Sequence, residues 1–156
     1  MVAFTTLLTV LASTAALAAP HEPRAPTQIQ SRVSNTRVGN LCIGPGGTNG
    51  EDLTLMSCSD KNAEAQFSNS QIVMNNGVAE VQAGMNIIPW VHVRPATQTE
   101  PQASKQRWTM PTVEGYVRFQ ATDWQCLTVG DVMPGPAKLL MEPCRAADVN
   151  QDFMLI

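Results

Sequence analysis

Four cysteines, Cys42, Cys58, Cys126 and Cys144, are the residues whose type and spacing speak most directly of chemistry. Thiols at such positions either bridge in pairs or hold a metal. No Cys-x-x-Cys occurs, and only His21 and His92 are available as imidazole ligands, so a zinc-type site has little to build on. Catalysis fares no better. There is no Gly-x-Ser-x-Gly nucleophile motif. Glu51, Asp52, Asp148 and Asp152 fall in expected turns and loops, whereas a glycosidase needs two carboxylates held across a cleft. His92, in Val91-His92-Val93, is expected to face solvent, opposite the two valines. No metal, no cofactor and no enzymatic activity are expected. The chemistry left is disulfide formation, which requires an oxidising compartment.

The N-terminus points to such a compartment. Residues 1–18 hold an apolar run, Phe4-Thr5-Thr6-Leu7-Leu8-Thr9-Val10-Leu11, and end in Ala16-Leu17-Ala18, the small-x-small pattern accepted by signal peptidase. The segment departs from the usual pattern in having no Lys or Arg near its start. It is too short and too rich in Thr and Ser for the ~20 apolar residues of a membrane span. Cleavage after Ala18 would leave a Pro-rich lead-in over residues 19–26 and a secreted, extracellular product with no membrane attachment.

The cysteines also sit inside a larger order. Leu41-Cys42-Ile43-Gly44, then Leu53-Thr54-Leu55-Met56-Ser57-Cys58, then Phe67 form one unit. Gln125-Cys126-Leu127-Thr128-Val129, then Leu139-Leu140-Met141-Glu142-Pro143-Cys144, then Gln151-Asp152-Phe153 form another. Between them Ala79-Glu80-Val81, Val91-His92-Val93-Arg94 and Gln106-Arg107-Trp108 repeat the pattern without cysteines. Three repeats follow, at about 27–70, 71–112 and 113–156, with Ala79 and Ala96 in the half-cystine slots of the second. Each cysteine pair lies within one repeat, and the middle repeat lacks both members together. Local bridges Cys42–Cys58 and Cys126–Cys144 are therefore expected, each worth about 3 kcal/mol in the chain-entropy view.

Eleven prolines and ten glycines punctuate short apolar runs, and no helical periodicity is sustained beyond residue 20, so the chain reads as all-β. Its 156 residues suffice for one domain with a core, and a net charge of −3 lacks the basic footprint of a nucleic-acid binder. Asn75-Asn76-Gly77 and the turn around Gly115 predict hairpins. Leu53-x-Leu55, Val91-x-Val93 and Leu139-x-Met141 each bury one face. Phe67, Trp108 and Phe153 occupy one equivalent position, and the three rings are expected to meet in a shared core. Trp90 either packs at a strand edge or serves a partner surface.

Three repeats with Cys-Leu-x-Val, a Leu-x-Leu-x-x-Cys strand and a closing Gln-x-Trp resemble the ricin B-type lectin family over residues 27–156. The resemblance implies a β-trefoil and non-catalytic sugar binding. It also implies an Asp two residues after the first cysteine, an aromatic two residues before the second, and an Asn just before the Gln. The positions matched are Gly44, Val81 and Thr128 for the first; Met56, Arg94 and Glu142 for the second; Glu64, Lys105 and Asn150 for the third. Only Asn150 keeps the family residue. The implied role of Gln151 is to hold its loop by side-chain hydrogen bonds.

A sugar site is thus expected, if anywhere, in the third repeat. Its candidates are Asn150, Asp131 as a carboxylate from a shifted position, and Trp124 as a stacking ring. Asp131 doubles as a turn residue in a Gly-Asp sequence, and Trp124 is expected to pack beside the disulfide. Two functions are in play. One is a secreted, carbohydrate-binding lectin-like trefoil whose site is degenerate. The other is a sugar-silent trefoil that binds a protein partner, as a hydrolase inhibitor or a secreted effector.

Overall fold

The fold is seen in a computed structural model that describes residues 28–33, 39–46, 52–82, 90–121, 124–130 and 137–156. The expected export signal at residues 1–18, the expected lead-in at 19–26 and Asp131 lie outside them. The described strands are β1 (Ile29–Ser31), β2 (Leu41–Gly46), β3 (Asp52–Ser57), β4 (Ala65–Ser68), β5 (Gln71–Met74), β6 (Gly77–Gln82), β7 (Trp90–Arg94), β8 (Thr112–Val113), β9 (Tyr116–Val117), β10 (Gln125–Val129), β11 (Ala137–Pro143) and β12 (Phe153–Leu155). One short helix, α1 (Gln102–Lys105), interrupts them. The chain is nearly all-β, as its turn-rich composition predicts.

Three antiparallel ribbons, β2–β3, β6–β7 and β10–β11, are the longest ladders, one per sequence repeat. Their second strands meet one another. β11 pairs with β3 and with β7, and β3 pairs with β7 as well. The sheet therefore curls instead of lying as an open row. The tight turns fall where the sequence puts them. Met74 pairs with Gly77 across Asn75-Asn76. A Cβ at Gly77 would run into the carbonyl of Arg94, so only glycine fits there. Glu114 and Gly115, at φ 50° and 86°, turn β8 into β9.

Alternation along the ribbons builds the core. Ile43 faces Leu55, Ala79 faces Val93 and Leu127 faces Met141, and all six side chains are buried. Cys42 is bonded to Cys58 and Cys126 to Cys144, as the repeats imply. Trp108 and Phe153 are buried as expected. Phe67 is not. It is half-buried against the rim of the core, and the centre of the ring cluster is Phe119. The Phe119 ring lies 5.5 Å from Phe67 and 5.6 Å from Phe153. Phe119, from the segment after β9 and not from the closing motif, lies between Phe67 and Phe153.

The ladders also correct the repeat register. Cys126 faces Glu142 on the third ribbon, and Val78 faces Arg94 on the second. Val78, not Ala79, therefore fills the half-cystine slot of the second repeat. The reason is period two. Ala79 is needed on the core side opposite Val93, and a slip of one residue would turn Glu80 into the core.

Candidate functional site

Two side-chain amides organise matching polar nodes. In the third repeat the fully buried Gln151 donates through Nε2 to Thr128 Oγ1 at 3.1 Å and to the Pro143 carbonyl at 3.0 Å, and its Oε1 accepts from the Arg145 amide at 2.9 Å. In the second repeat Gln106 does the same. Its Nε2 donates to the Pro95 carbonyl at 3.1 Å, and its Oε1 accepts from the Thr97 amide at 3.0 Å. Each amide pins the chain that follows the second ribbon strand, which is the loop-holding role implied for Gln151. The first repeat has Ala65 at this place and no such node.

The two nodes differ in their third partner. Gln151 meets the buried hydroxyl of Thr128, whereas Gln106 Nε2 meets a carboxylate, Glu80 Oε2, at 2.7 Å. By the observed register Glu80, not Val81, stands two residues after the half-cystine slot. The acidic position that the sequence reading found empty is filled in the second repeat. The clue was present in Ala79-Glu80-Val81, where alternation allows only the middle residue to face outward. In the first repeat the slot is Gly44, where an added Cβ would lie 2.7 Å from Met56 Cε and 2.9 Å from the Asn62 carbonyl. That slot is occupied by packing.

Glu80 belongs to a polar row. It faces His92 on β7, and His92 faces Asp52 on β3. His92 Nδ1 lies 3.3 Å from Asp52 Oδ1 without hydrogen-bond alignment, so the contact is one of proximity only. His92 is half-buried, more covered than its strand pattern suggested. Arg94 and Lys105 add cationic groups at the places where the resemblance implies an aromatic and an Asn. The node thus offers a held carboxylate with an imidazole across the ladder, the Gln106 amide being buried and already fully paired. It can exchange hydrogen bonds with hydroxyls. Among the described residues no cluster of His, Cys, Asp and Glu could hold a metal.

The third-repeat candidates are placed as follows. Asp131 lies outside the described residues. Asn150 sits in a 3-10 turn over Val149–Gln151, where its backbone amide is capped by the Asp148 carboxylate at 3.0 Å. Trp124 does not pack beside the disulfide. It is 79% exposed and lines an open pocket of about 360 Å³ with Ser70, Arg107, Trp108, Thr109 and Gln120, and Asn150 is not among the lining residues. Asp152 lies in the loop position expected of it, between the 3-10 turn and β12. It is buried and ion-paired to Arg118 and Arg32, each at 2.8 Å. Arg118 also donates to the carbonyls of Arg145 and Ala146, fixing the segment before the turn. Of Trp90 only the backbone is described.

No protein-family model and no curated protein matches the chain. Solved structures do. The hemolytic lectin CEL-III superposes with a TM-score of 0.58 at 19% identity, over 86% of this chain and 32% of that one. The Macrolepiota procera ricin B-like lectin, solved with lactose, gives 0.56 at 14% identity, over 85% of this chain and 96% of that one. The Polyporus squamosus lectin, bound to the epitope Neu5Aca2-6Galb1-4GlcNAc, gives 0.55 at 10% identity, over 85% of this chain and 49% of that one. The chain thus spans about a third of the first and about half of the last. Its fold is that of the ricin B-like lectins.

Proposed function

From that shared fold we propose that the protein is a secreted, non-catalytic carbohydrate-binding β-trefoil whose sugar sites are reduced in number. The observation that carries this reading is the Glu80 carboxylate held at 2.7 Å by Gln106. A carboxylate fixed by an amide is an oriented acceptor for sugar hydroxyls, and a few convergent polar groups of this kind give a site its specificity. The mutual pairing of β3, β7 and β11 supports the threefold arrangement. Two disulfides and the signal-like residues 1–18 support an oxidising, extracellular destination. The lactose and sialylated-epitope complexes of the structural neighbours support the ligand class.

A second reading rests on one observation. The stacking positions hold Met56, Arg94 and Glu142, none of them a ring. A site with charged groups and no ring suits a protein surface as well as a sugar. The experiment that separates the two is a broad glycan array probed with the folded mature chain. Binding is expected, weak and selective. Silence from a sample shown to be folded would favour the protein-binding trefoil. Asp131→Ala and Asn150→Ala address the third repeat. Each is expected to lower the signal if that repeat contributes, since losing a hydrogen-bond partner to a charged acceptor costs about 1.5–3 kcal/mol, tenfold or more in affinity. A signal unchanged in both would place binding outside that repeat.

A further inference from the structure

We propose that the open pocket around Trp124 is a separate saccharide site, one that takes a single pyranose ring stacked on the indole. Its ligand class rests on the carbohydrate reading above; its location does not. The pocket is assembled from all three repeats. Ser70 closes the first, Arg107 and Thr109 end the second, and Gln120 and Trp124 belong to the third. It therefore differs from the Glu80–Gln106 node, which lies within one repeat.

Three observations point to a ligand. Trp124 is 79% exposed, and among the described residues the other large apolar side chains found outward are the smaller Val149 and Ile156. An exposed indole at a pocket wall presents a flat apolar face that a ligand's C–H face can cover. Its backbone has φ 58°, a region unfavourable for a bulky residue and kept only where the surroundings impose it. The surroundings do so here. The Trp124 carbonyl accepts from the Cys144 amide at 3.1 Å, beside the Cys126–Cys144 bridge, so the ring stands on a fixed base. Lastly, the pocket volume of about 360 Å³ falls in the range of small-ligand sites.

The polar groups around the ring suit a sugar. A pyranose presents one face of C–H groups and a rim of hydroxyls. The main chain of Gln120 is used in pairing with Thr109, at 2.9 and 2.8 Å, which leaves its side-chain amide as its polar offering to the pocket. The Thr109 hydroxyl donates to the Gln120 carbonyl at 3.3 Å and can still accept. Arg107 lies 3.6 Å from Glu100 with both side chains more than half exposed, an ion pair weak enough to be exchanged for a ligand oxygen. The guanidinium would favour a sugar that carries a carboxylate, and the ring alone would accept a neutral one.

The test is a titration of the isotope-labelled full mature chain with lactose, N-acetylglucosamine, glucuronic acid and N-acetylneuraminic acid, read at the indole and side-chain amide resonances. With at least one of the four, the Trp124 indole signal, assigned by its loss in Trp124→Phe, is expected to shift saturably. That of the Gln151 side-chain amide, which is held in the third-repeat node and does not line the pocket, is expected to stay. Trp124→Ala is expected to lower affinity tenfold or more without moving the denaturation midpoint. Stronger response to the two acids than to the neutral sugars would assign a role to Arg107, and equal response would assign the site to stacking alone. If the Gln106 amide shifts while Trp124 stays still, the pocket proposal fails and the carbohydrate reading stands. If neither responds to any of the four, both fail.

Discussion

Trp108→Ala is expected to destabilise the protein by about 3–5 kcal/mol, the usual range for a large aromatic removed from a core. Trp108 is 1% exposed and belongs to the cluster of buried residues that joins the three ribbons. Two losses combine. The first is the cavity left by the ring. The second is the hydrogen bond from Nε1 to the Ala79 carbonyl at 3.1 Å, whose loss leaves a buried acceptor without its donor. Its backbone amide, bonded to the Ser70 carbonyl at 2.7 Å, survives the substitution and keeps the end of the second repeat tied to the first. Trp108→Phe separates the terms, since it forfeits the hydrogen bond but retains most of the ring. A denaturation midpoint unchanged in Trp108→Ala would contradict the placement of this residue in the core.

Phe119→Ala is expected to cost a similar amount, about 3–5 kcal/mol, although no repeat or motif singles out Phe119. The residue is fully buried, and its ring is the link between Phe67 and Phe153. Its removal takes away two tilted ring contacts, each worth about 0.5–1.5 kcal/mol beyond area burial, together with the cavity term. Phe67→Ala, at the half-buried rim, is expected to cost less than Phe119→Ala, because a rim site refills with water or neighbouring side chains. The reverse order in equilibrium unfolding would restore Phe67 to the centre and remove Phe119 from it.

Phe119 shows where sequence reading stops. Periodicity and motif spacing describe relations within a repeat, and these were legible. They foretold the Cys42–Cys58 and Cys126–Cys144 bridges, the hairpin at Asn75-Asn76 and the buried faces of the ribbons, while the loop-holding amide of Gln151 came from the family resemblance. Which ring fills the space between repeats depends on how three ribbons curl together, and nothing local records that. Glu80 was missed for a different reason. With no cysteine in the second repeat to anchor the count, Ala79 was placed in the half-cystine slot, and only the ladder with Arg94 puts Val78 there. Trp124 was misjudged because proximity to a disulfide in sequence suggests packing. Its positive φ turns the side chain away, and such a backbone angle cannot be read from a Trp.

The carbohydrate reading depends most on the second-repeat node, so the decisive measurement is the affinity of Glu80→Gln for whichever glycan the array selects, taken by calorimetry beside the wild type. Glutamine keeps an oxygen that can accept from Gln106 Nε2, so the node and the fold are expected to persist with little change in denaturation midpoint. The charge proposed to receive sugar hydroxyls is removed, and affinity is expected to fall tenfold or more. Wild-type affinity in a folded Glu80→Gln sample would contradict the claim that this carboxylate binds sugar.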